Sequence, residues 1–334
     1  MVNLTREFFI GLSNNKFLNE KAKRWGFRFG ADKFVAGTDM ISVISTVKEL
    51  NQSGISCTLD NLGEFVYKKT EALQAKDDIL KMIESIQVEK LDCHISLKLT
   101  QLGLDINQDF CVNNMREILH AAEKHDIFIN IDMEKYEHYQ KTLDILAILR
   151  KDFSHVGTVM QAYLHRTNHD LKNLKDVRLR IVKGAYKESE KVAFSLKEDI
   201  DTNFIKICEN RLLENTFTSI ATHDHHIINY LKKFIKENNI SKDNFEFQML
   251  YGFRTDMQHR LANEGYNLCT YIPYGNDWFG YFMRRLAERP QNIQFLIKNM
   301  CYTKDNKMKK LPVIIVSAII GLIASWGVKK KSKG

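Results

Sequence analysis

Short apolar runs alternate with longer amphipathic stretches along most of the chain. After residue 54, eight runs of β-branched or apolar residues are separated by charged stretches with helical periodicity. The runs begin at Ile55, His94, Ile127, Val156, Leu179, Phe217, Phe245 and Leu268. Strands that alternate with helices at this spacing form a parallel sheet, and eight such units over about 220 residues predict an α/β fold of the (βα)8 barrel type.

Helices are predicted between the runs, in stretches that contain charged residues. They include 76–88, 113–125, 136–150, 200–215 and 226–238. Residues 1–54 are predicted to be an N-terminal helical leader, in which Ile41, Val43, Ile44, Val47 and Leu50 form one apolar stripe. With three prolines in the chain and no Gly/Ser-rich linker, residues 55–300 are predicted to form a single barrel domain.

The tail at 301–334 differs in composition from the rest of the chain. From residue 304 it has eight Lys and one Asp, a balance of +7, which leaves +1 of the total +8 for residues 1–303. The basic charge is confined to the tail, so nucleic-acid binding is not expected. Residues 311–328 are 18 uncharged positions between lysines, about 27 Å as a helix. We predict a C-terminal hydrophobic membrane-anchor helix there, with a helix docked on the domain as the alternative.

The N-terminus and the cysteines indicate in which cellular compartment the protein is located. Arg6 and Glu7 precede a very short apolar run without a small-residue cleavage pattern, so no secretory signal is expected. The six cysteines are scattered without a CxxC pair, which is typical of reduced thiols in a cytoplasmic domain rather than disulfides or a zinc site. With the anchor, this predicts a location on the cytoplasmic face of the cell membrane.

The stretch 276–290 predicts a helix with two chemically different faces. Its polar side carries Tyr281, Arg284, Arg285 and Glu288 at the spacing i, i+3, i+4 and i+7. A solvated face with a salt bridge to Glu288 is one interpretation. A pair of guanidinium groups next to a phenol also suits a small ligand with a carboxylate and an apolar body. We favour the interpretation that this face of the helix binds a substrate anion.

Polar residues recur where the predicted strands end. They are Lys98, Asp132, Gln161, Lys183, Tyr186, Thr222, His223 and the segment 271–274. In a (βα)8 barrel the chemistry gathers at the C-terminal ends of the strands. Arg180 lies within the fifth run, where an inward charge requires a partner. We expect a functional site at this end, and a set of structural ion pairs is the alternative.

Several common motifs are absent from the chain. No GxGxxG follows a strand, and neither GxxxxGK[ST] nor GxSxG occurs, which removes support for dinucleotide folds, P-loops and serine hydrolases. His223, His225 and His226 cluster in sequence, but no HExxH or matched carboxylate spacing accompanies them, so no metal is expected there. A phosphate or ribose contact suits His223 better.

Seven ordered motifs resemble those of one enzyme family. They are SLKL at Ser96, QAYL at Gln161, RIVKGAY at Arg180, ATHD at Ala221, FEFQMLYG at Phe245, YIPYG at Tyr271 and YFMRRLAER at Tyr281. Together they resemble the FAD-dependent proline dehydrogenases over residues 55–290. The resemblance implies a distorted (βα)8 TIM-like barrel that oxidises L-proline to Δ1-pyrroline-5-carboxylate with FAD, passes electrons to a membrane quinone, and supplies a separate pyrroline-5-carboxylate dehydrogenase.

The resemblance also implies roles for individual residues. The catalytic positions are Asp132, Arg180 and Tyr271, with Arg180 near the flavin. Substrate binding is implied for Lys98, Tyr186, Leu250, Tyr281, Arg284, Arg285 and Glu288, in which the arginine pair clamps the carboxylate. Cofactor binding is implied for Met133, Gln161, Arg180, Lys183, Gly184, Ala185, Thr222 and His223. Tyr271 would also crowd C4 of the substrate and disfavour a hydroxylated proline.

Two departures from the family pattern are modest. Lys187 stands where an aromatic residue often follows RxVKGAY, and the usual ATHN is ATHD, with Asp224. Since an acid near the phosphates of FAD is unfavourable, Asp224 is expected to point away. The alternatives are another flavin barrel acting on a folate or hydroxyproline, which Tyr271 and the arginine pair disfavour, and a membrane-tethered binding protein that lost the reaction.

Overall fold

A computed structural model describes residues 31–63 and 65–288, together with residues 9, 11 and 12. Most of the predicted leader and the predicted anchor at 311–328 lie outside these residues. No helix within the described part of the chain has the length and apolar composition required to span a bilayer.

All eight predicted strands are confirmed. Their bounds are Ser56–Asn61 (β1), Cys93–Leu97 (β2), Ile129–Ile131 (β3), Val156–Gln161 (β4), Leu179–Val182 (β5), Thr218–Ala221 (β6), Phe245–Leu250 (β7) and Leu268–Tyr274 (β8). They form a closed barrel in sequence order with parallel pairing. Parallel neighbours require a crossover between strands, and the amphipathic stretches provide it.

The stretches predicted between the runs are helical, but the helices that contain 76–88 and 113–125 begin seven and five residues earlier than predicted, and the helices at Thr167–Asp170 and Thr255–Asn263 were not predicted. The described helices are Met40–Gln52 (α1), Lys69–Val88 (α2), Gln108–Glu123 (α3), Tyr136–Leu149 (α4), Thr167–Asp170 (α5), Lys197–Leu213 (α6), His225–Glu237 (α7), Thr255–Asn263 (α8) and Trp278–Glu288 (α9). The crossover from β4 to β5 has only the single turn of α5 and a short 3₁₀ helix at Leu171–Asn173. The barrel is therefore irregular at this crossover.

Helical periodicity decides which residues are buried. Helix α2 buries Ala72, Ala75, Ile79, Met82, Ile83 and Ile86, a stripe at spacings of three and four. Each large apolar side chain that is removed from water stabilises the fold by about 1.5–3 kcal/mol. In α1, Val43 and Val47 are buried as predicted, whereas Ile41 is 83% exposed, so the inclusion of Ile41 in that apolar stripe was wrong.

The chain divides into two compact units. One is Met40–Ile272, and the other comprises Met1–Asp39 and Pro273–Gly334. Within the second unit, the amide of Ala36 donates to the carbonyl of Pro273 at 3.0 Å, and the ring centroids of Phe34 and Phe282 lie 5.9 Å apart. Its helix α9 begins at Trp278, within the stretch 276–290 that was predicted to be helical.

Candidate active site

Inside the barrel, charged side chains meet at the C-terminal ends of strands that are far apart in sequence. Lys98 and Asp132 follow β2 and β3 directly, and Asp60, Arg180 and Tyr271 lie in β1, β5 and β8. All five side chains are largely withdrawn from water. We call these five residues the mouth cluster.

The ammonium of Lys98 lies between two carboxylates. Its Nζ donates to Oδ2 of Asp60 at 2.7 Å and to Oδ2 of Asp132 at 3.3 Å. The side chain of Asp60 is 1% exposed and that of Lys98 is 8% exposed. Because buried charges are stable only when they are paired, these two carboxylates fix the position of the ammonium.

Arg180 crosses the interior of the barrel. Its Nη1 donates to Oδ1 of Asp132 at 2.8 Å, and its Nη2 donates to Oγ of Ser96 at 2.6 Å. Ser96 also shares a hydrogen bond of 2.9 Å with the hydroxyl of Thr58. Since β5 and β2 are not neighbours, these contacts show that Arg180 points inward, where it has the charge partner that the sequence required.

The phenol of Tyr271 completes the mouth cluster. Its hydroxyl donates to Asp60 and lies 3.1 Å from Oδ2 of Asp132, and its ring lies 5.2 Å from the guanidinium carbon of Arg180. Burial raises the pKa of Tyr271 well above its usual range, and the carboxylates of Asp132 and Asp60 add to this effect. The phenol therefore stays protonated and acts as a hydrogen-bond donor.

The formal charges of the mouth cluster balance. Two carboxylates, from Asp60 and Asp132, face two cations, from Lys98 and Arg180. Burial raises the pKa of Asp60, and the attraction of Lys98 opposes that rise without cancelling it. Lys98 is therefore already neutralised by protein groups, and it contributes less to binding a substrate anion than a solvated lysine would.

Asp60 was absent from the residues predicted from sequence. It stands at the end of the first apolar run, the same position that singled out Lys98 and Asp132 in the next two runs. Polar residues at strand ends were noted from the second run onward, and the first run carried the same signal. The barrel closes β8 onto β1, so Asp60 and Tyr271 meet although 211 positions separate them.

The predicted cofactor residues lie along the adjoining arc of strand ends, from β3 to β6. Nε2 of Gln161 donates to the carbonyls of Met133 and Glu134 at 3.4 and 3.3 Å. Its Oε1 is buried and has no hydrogen-bond partner among the described residues. A buried acceptor without a donor suits the N–H of a bound group. Thr222 is buried at the end of β6.

His223 is held by backbone rather than by other histidines. Its Nε2 accepts from the amide of Leu250 at 2.9 Å, which links the ends of β6 and β7. Among the described residues, His223, His225 and His226 do not form a group of converging metal ligands.

Lys183 pairs with two carboxylates at the rim of this arc. Its Nζ lies 2.5 Å from Oδ1 of Asp201 and 3.5 Å from Oδ2 of Asp224. Oδ1 of Asp224 accepts from the amide of His226 at 3.0 Å and caps helix α7. One oxygen of Asp224 thus caps a helix, while the other faces Lys183, a predicted cofactor residue, so the expectation that Asp224 points away from the phosphates stays a prediction.

Gly184 allows a close approach that no other residue permits. Its φ is +114°, and a Cβ there would lie 2.3 Å from Cδ1 of Tyr163. Ala185 is exposed and Tyr186 is half-buried just beyond it. Glycine at this position therefore keeps the chain after β5 packed on the Tyr163 ring.

The predicted ligand-binding helix belongs to the second unit. Within α9, the guanidinium carbon of Arg285 lies 5.1 Å from the ring centroid of Tyr281, so the phenol and one arginine are neighbours, as the spacing predicted. Arg284 is on the same helix and is half-buried. The side chain of Glu288 lies outside the described residues.

The barrel and the mouth cluster together match a known class of protein. A parallel (βα)8 barrel with a buried cluster of acids, bases and a phenol at its strand ends has the form of a barrel enzyme. The family model for proline dehydrogenase matches residues 43–298 of the chain. The chain belongs to the proline dehydrogenase family and is therefore an oxidoreductase of proline metabolism.

Individual relatives agree with the family model. Proline dehydrogenase 2 of Bacillus subtilis (strain 168) is 50% identical over 299 residues, which cover 89% of this chain and 99% of that protein. The proline dehydrogenase of Deinococcus radiodurans is 39% identical, covering 84% and 92% respectively. The crystal structure of proline utilization A from Bdellovibrio bacteriovorus, inactivated by N-propargylglycine, superposes with a TM-score of 0.72 at 24% identity. It covers 83% of this chain and 34% of that chain, and it shows the same fold.

Proposed function

We propose that this proline dehydrogenase oxidises L-proline to Δ1-pyrroline-5-carboxylate with FAD as its cofactor and delivers the electrons to a membrane quinone. The observation that carries the proposal is the mouth cluster, in which Asp132, Arg180 and Tyr271 meet at the strand ends of a barrel of this family. A bound FAD would supply the acceptor for the hydride that leaves the carbon next to the nitrogen of proline.

The residues along the arc fit a flavin. Gln161 offers a buried acceptor without a donor, and Gly184 keeps the chain after β5 tightly packed on Tyr163. Lys183 supplies a cation for phosphate groups, although Asp201 and Asp224 already share its charge. We propose that Met133, Gln161, Arg180, Lys183, Gly184, Ala185, Thr222 and His223 hold FAD.

Side chains of the protein would bind proline and lower the pKa of its amine. We propose that Arg284 and Arg285 bind the proline carboxylate, with Tyr186, Leu250 and Tyr281 against its ring. Hydride leaves most readily from a carbon next to a neutral amine, and cations on the carboxylate lower the pKa of that amine. Because Asp60 and Asp132 neutralise Lys98, we assign most of this effect to the arginine pair and a positioning role to Lys98.

One experiment tests the assignment to proline and flavin together. The purified chain should show the visible absorbance of an oxidised flavin, and anaerobic L-proline should bleach it. Hydroxyproline should bleach it much more slowly, because Tyr271 would crowd C4. A protein without a flavin spectrum, or one that hydroxyproline reduces as fast as proline, would contradict the proposal.

A second experiment tests the carboxylate clamp. Replacing a desolvated partner of a charged pair costs about 2–5 kcal/mol, so Arg285→Met should raise the proline KM at least about thirtyfold. Arg116→Met is the matched control, because Arg116 pairs with Asp152 on the surface, where both side chains are over a third exposed. A normal KM in Arg285→Met would exclude this role.

We also propose that residues 311–328 anchor the enzyme to the cytoplasmic face of the membrane. The uncharged run between lysines supports this, and tethering raises the concentration at which the reduced enzyme meets a quinone dissolved in the bilayer. Deleting residues 311–334 should leave reduction by proline intact and slow turnover with membrane quinone. Equal turnover with and without the tail would exclude an anchoring role. We propose that a separate pyrroline-5-carboxylate dehydrogenase consumes the product.

A further inference from the structure

Three potential metal ligands converge at the opposite end of the barrel from the mouth cluster. His94, Glu246 and Cys269 come from β2, β7 and β8, and one ligand atom of each lies within 4.8 Å of the other two. Among the residues that the structure describes, no other group of three or more such side chains meets this condition. We call it the floor cluster.

Strand geometry fixes where the floor cluster lies. Side chains two apart on a strand point to the same face, so His94 shares the barrel interior with Ser96 and Lys98. Four residues at about 3.3 Å each separate His94 from Lys98, a distance of about 13 Å along the strand. By the same alternation, Cys269 lies on the face of Tyr271. The floor cluster therefore lies below the carboxylates and the ammonium of the mouth cluster, although the positive charge of Arg180 acts on both His94 and Cys269.

The carboxylate of Glu246 is held in place for a further partner. Ser219 and Gln248 donate to its Oε1, both at 2.6 Å, and Nη2 of Arg178 lies 3.4 Å from the same oxygen. None of these hydrogen bonds uses Oε2. Groups that orient a ligand in this way are typical of the surroundings of bound metals.

The side chains of His94 and Cys269 make no hydrogen bonds to other described side chains. His94 is 9% exposed, and neither of its ring nitrogens has a hydrogen-bond partner among the described residues. Its ring contacts the edge of Phe128, with centroids 5.9 Å apart. Cys269 is fully buried, and no side-chain hydrogen bond to it occurs in the described part of the chain. No hydrogen bond to a described protein group therefore competes with a metal ion for the His94 ring or the Cys269 sulfur.

A cavity of about 330 Å³ opens next to the floor cluster, and its charge favours a cation. Asp92, Asp126 and Glu246 line it, against the single guanidinium of Arg178. The rings of Phe128 and Phe217 sandwich Arg178 at 4.2 and 4.1 Å, which fixes its charge beside Oε1. The cavity leaves room for a water as a fourth ligand.

We propose that His94, Glu246 and Cys269 bind a divalent transition-metal ion, with zinc as the preferred occupant. Imidazole, thiolate and carboxylate are all zinc ligands, and sulfur selects zinc over magnesium or calcium. With metal–ligand distances of about 2.0–2.3 Å, tetrahedral ligand atoms are about 3.3–3.8 Å apart, so small side-chain movements complete the site. The ion links β2 to β7 and β8 and so stabilises the closed barrel.

Cobalt(II) is the probe for this site, because a thiolate ligand gives it an intense charge-transfer absorbance. The full chain, stripped with a chelator, should bind one equivalent and show this absorbance. Cys269→Ser should abolish it, and His94→Gln should weaken zinc binding at least about tenfold. The matched control is Cys208→Ser, which removes a buried thiol in α6 and should leave both signals unchanged.

A measurement on the unaltered chain covers the case in which the variants do not fold. Zinc should raise the thermal unfolding midpoint of the wild type, and an equal concentration of magnesium should not. The proposal is overturned if the wild type binds neither zinc nor cobalt, or if Cys269→Ser keeps the thiolate absorbance. Oxidation of proline by the variants tests the active site separately, because the floor cluster lies below the mouth cluster.

Discussion

The balance of charges in the mouth cluster makes Lys98→Met a sharp test of what holds the barrel mouth together. Methionine keeps most of the length of the lysine side chain, so the change removes the ammonium with little loss of packing. It leaves the carboxylates of Asp60 and Asp132 with Arg180 as their remaining cation. Breaking a buried pair costs about 3–5 kcal/mol. For a domain of this size that lowers the unfolding midpoint by roughly 6–20 °C.

The pH dependence of this loss has a definite sign. Burial already raises the pKa of Asp60, and removing Lys98 takes away the attraction that opposes the rise. A carboxyl whose folded pKa lies above its unfolded value, about 3.9, favours folding below that value and loses this contribution as the pH rises. The deficit of Lys98→Met relative to the wild type should therefore be small in acid and grow as the pH rises.

Urea or thermal unfolding across a pH series measures both effects. The matched control is Lys48→Met, because Lys48 makes a similarly short pair of 2.6 Å with Glu89 on the surface, at 48% and 34% exposure. That pair should contribute no more than about 1 kcal/mol. The double variant with Asp60→Asn should recover part of the loss. A Lys98→Met protein as stable as the control, or a deficit that does not change with pH, would refute the reasoning.

Three further predictions follow from neighbouring contacts. Gly184→Ala should destabilise the protein by more than about 2 kcal/mol and lower its flavin content, whereas Gly54→Ala, with positive φ but nothing within 4 Å, should cost only about 1–2 kcal/mol; equal unfolding midpoints would contradict this. Tyr271→Phe removes one donor to two buried carboxylates and should cost about 1.5–3 kcal/mol in urea unfolding, and an unchanged midpoint would disprove it. Burial raises the pKa of Asp201, but hydrogen bonds from Lys183 and Lys197 outweigh burial and lower that pKa. The stabilisation by the ionised Asp201 is therefore lost as the pH falls through its lowered pKa. Lys183→Met should therefore begin acid unfolding at a higher pH in a circular dichroism titration, and an unshifted onset would argue against this pair.

Much of the fold was readable from local patterns. The eight apolar runs became the eight strands because burial on a barrel wall selects short β-branched segments. The spacing in 281–285 predicted the contact between Tyr281 and Arg285 because neighbours on a helix face depend only on the 3.6-residue period. Ile41 is apolar but lies outside the buried stripe, because it is at the second position of α1 and the helix turns it towards solvent.

The sequence by itself determined the barrel class, the family motifs and the rule that polar strand ends carry the chemistry, since each depends on residues close together along the chain. Only the tertiary structure decided which charges neutralise one another. It added Asp60 to the mouth cluster and joined His94 to Glu246 and Cys269 across more than 150 positions. The reason is physical: inward contacts depend on strand register and on closure of β8 onto β1, and neither is encoded in any local period.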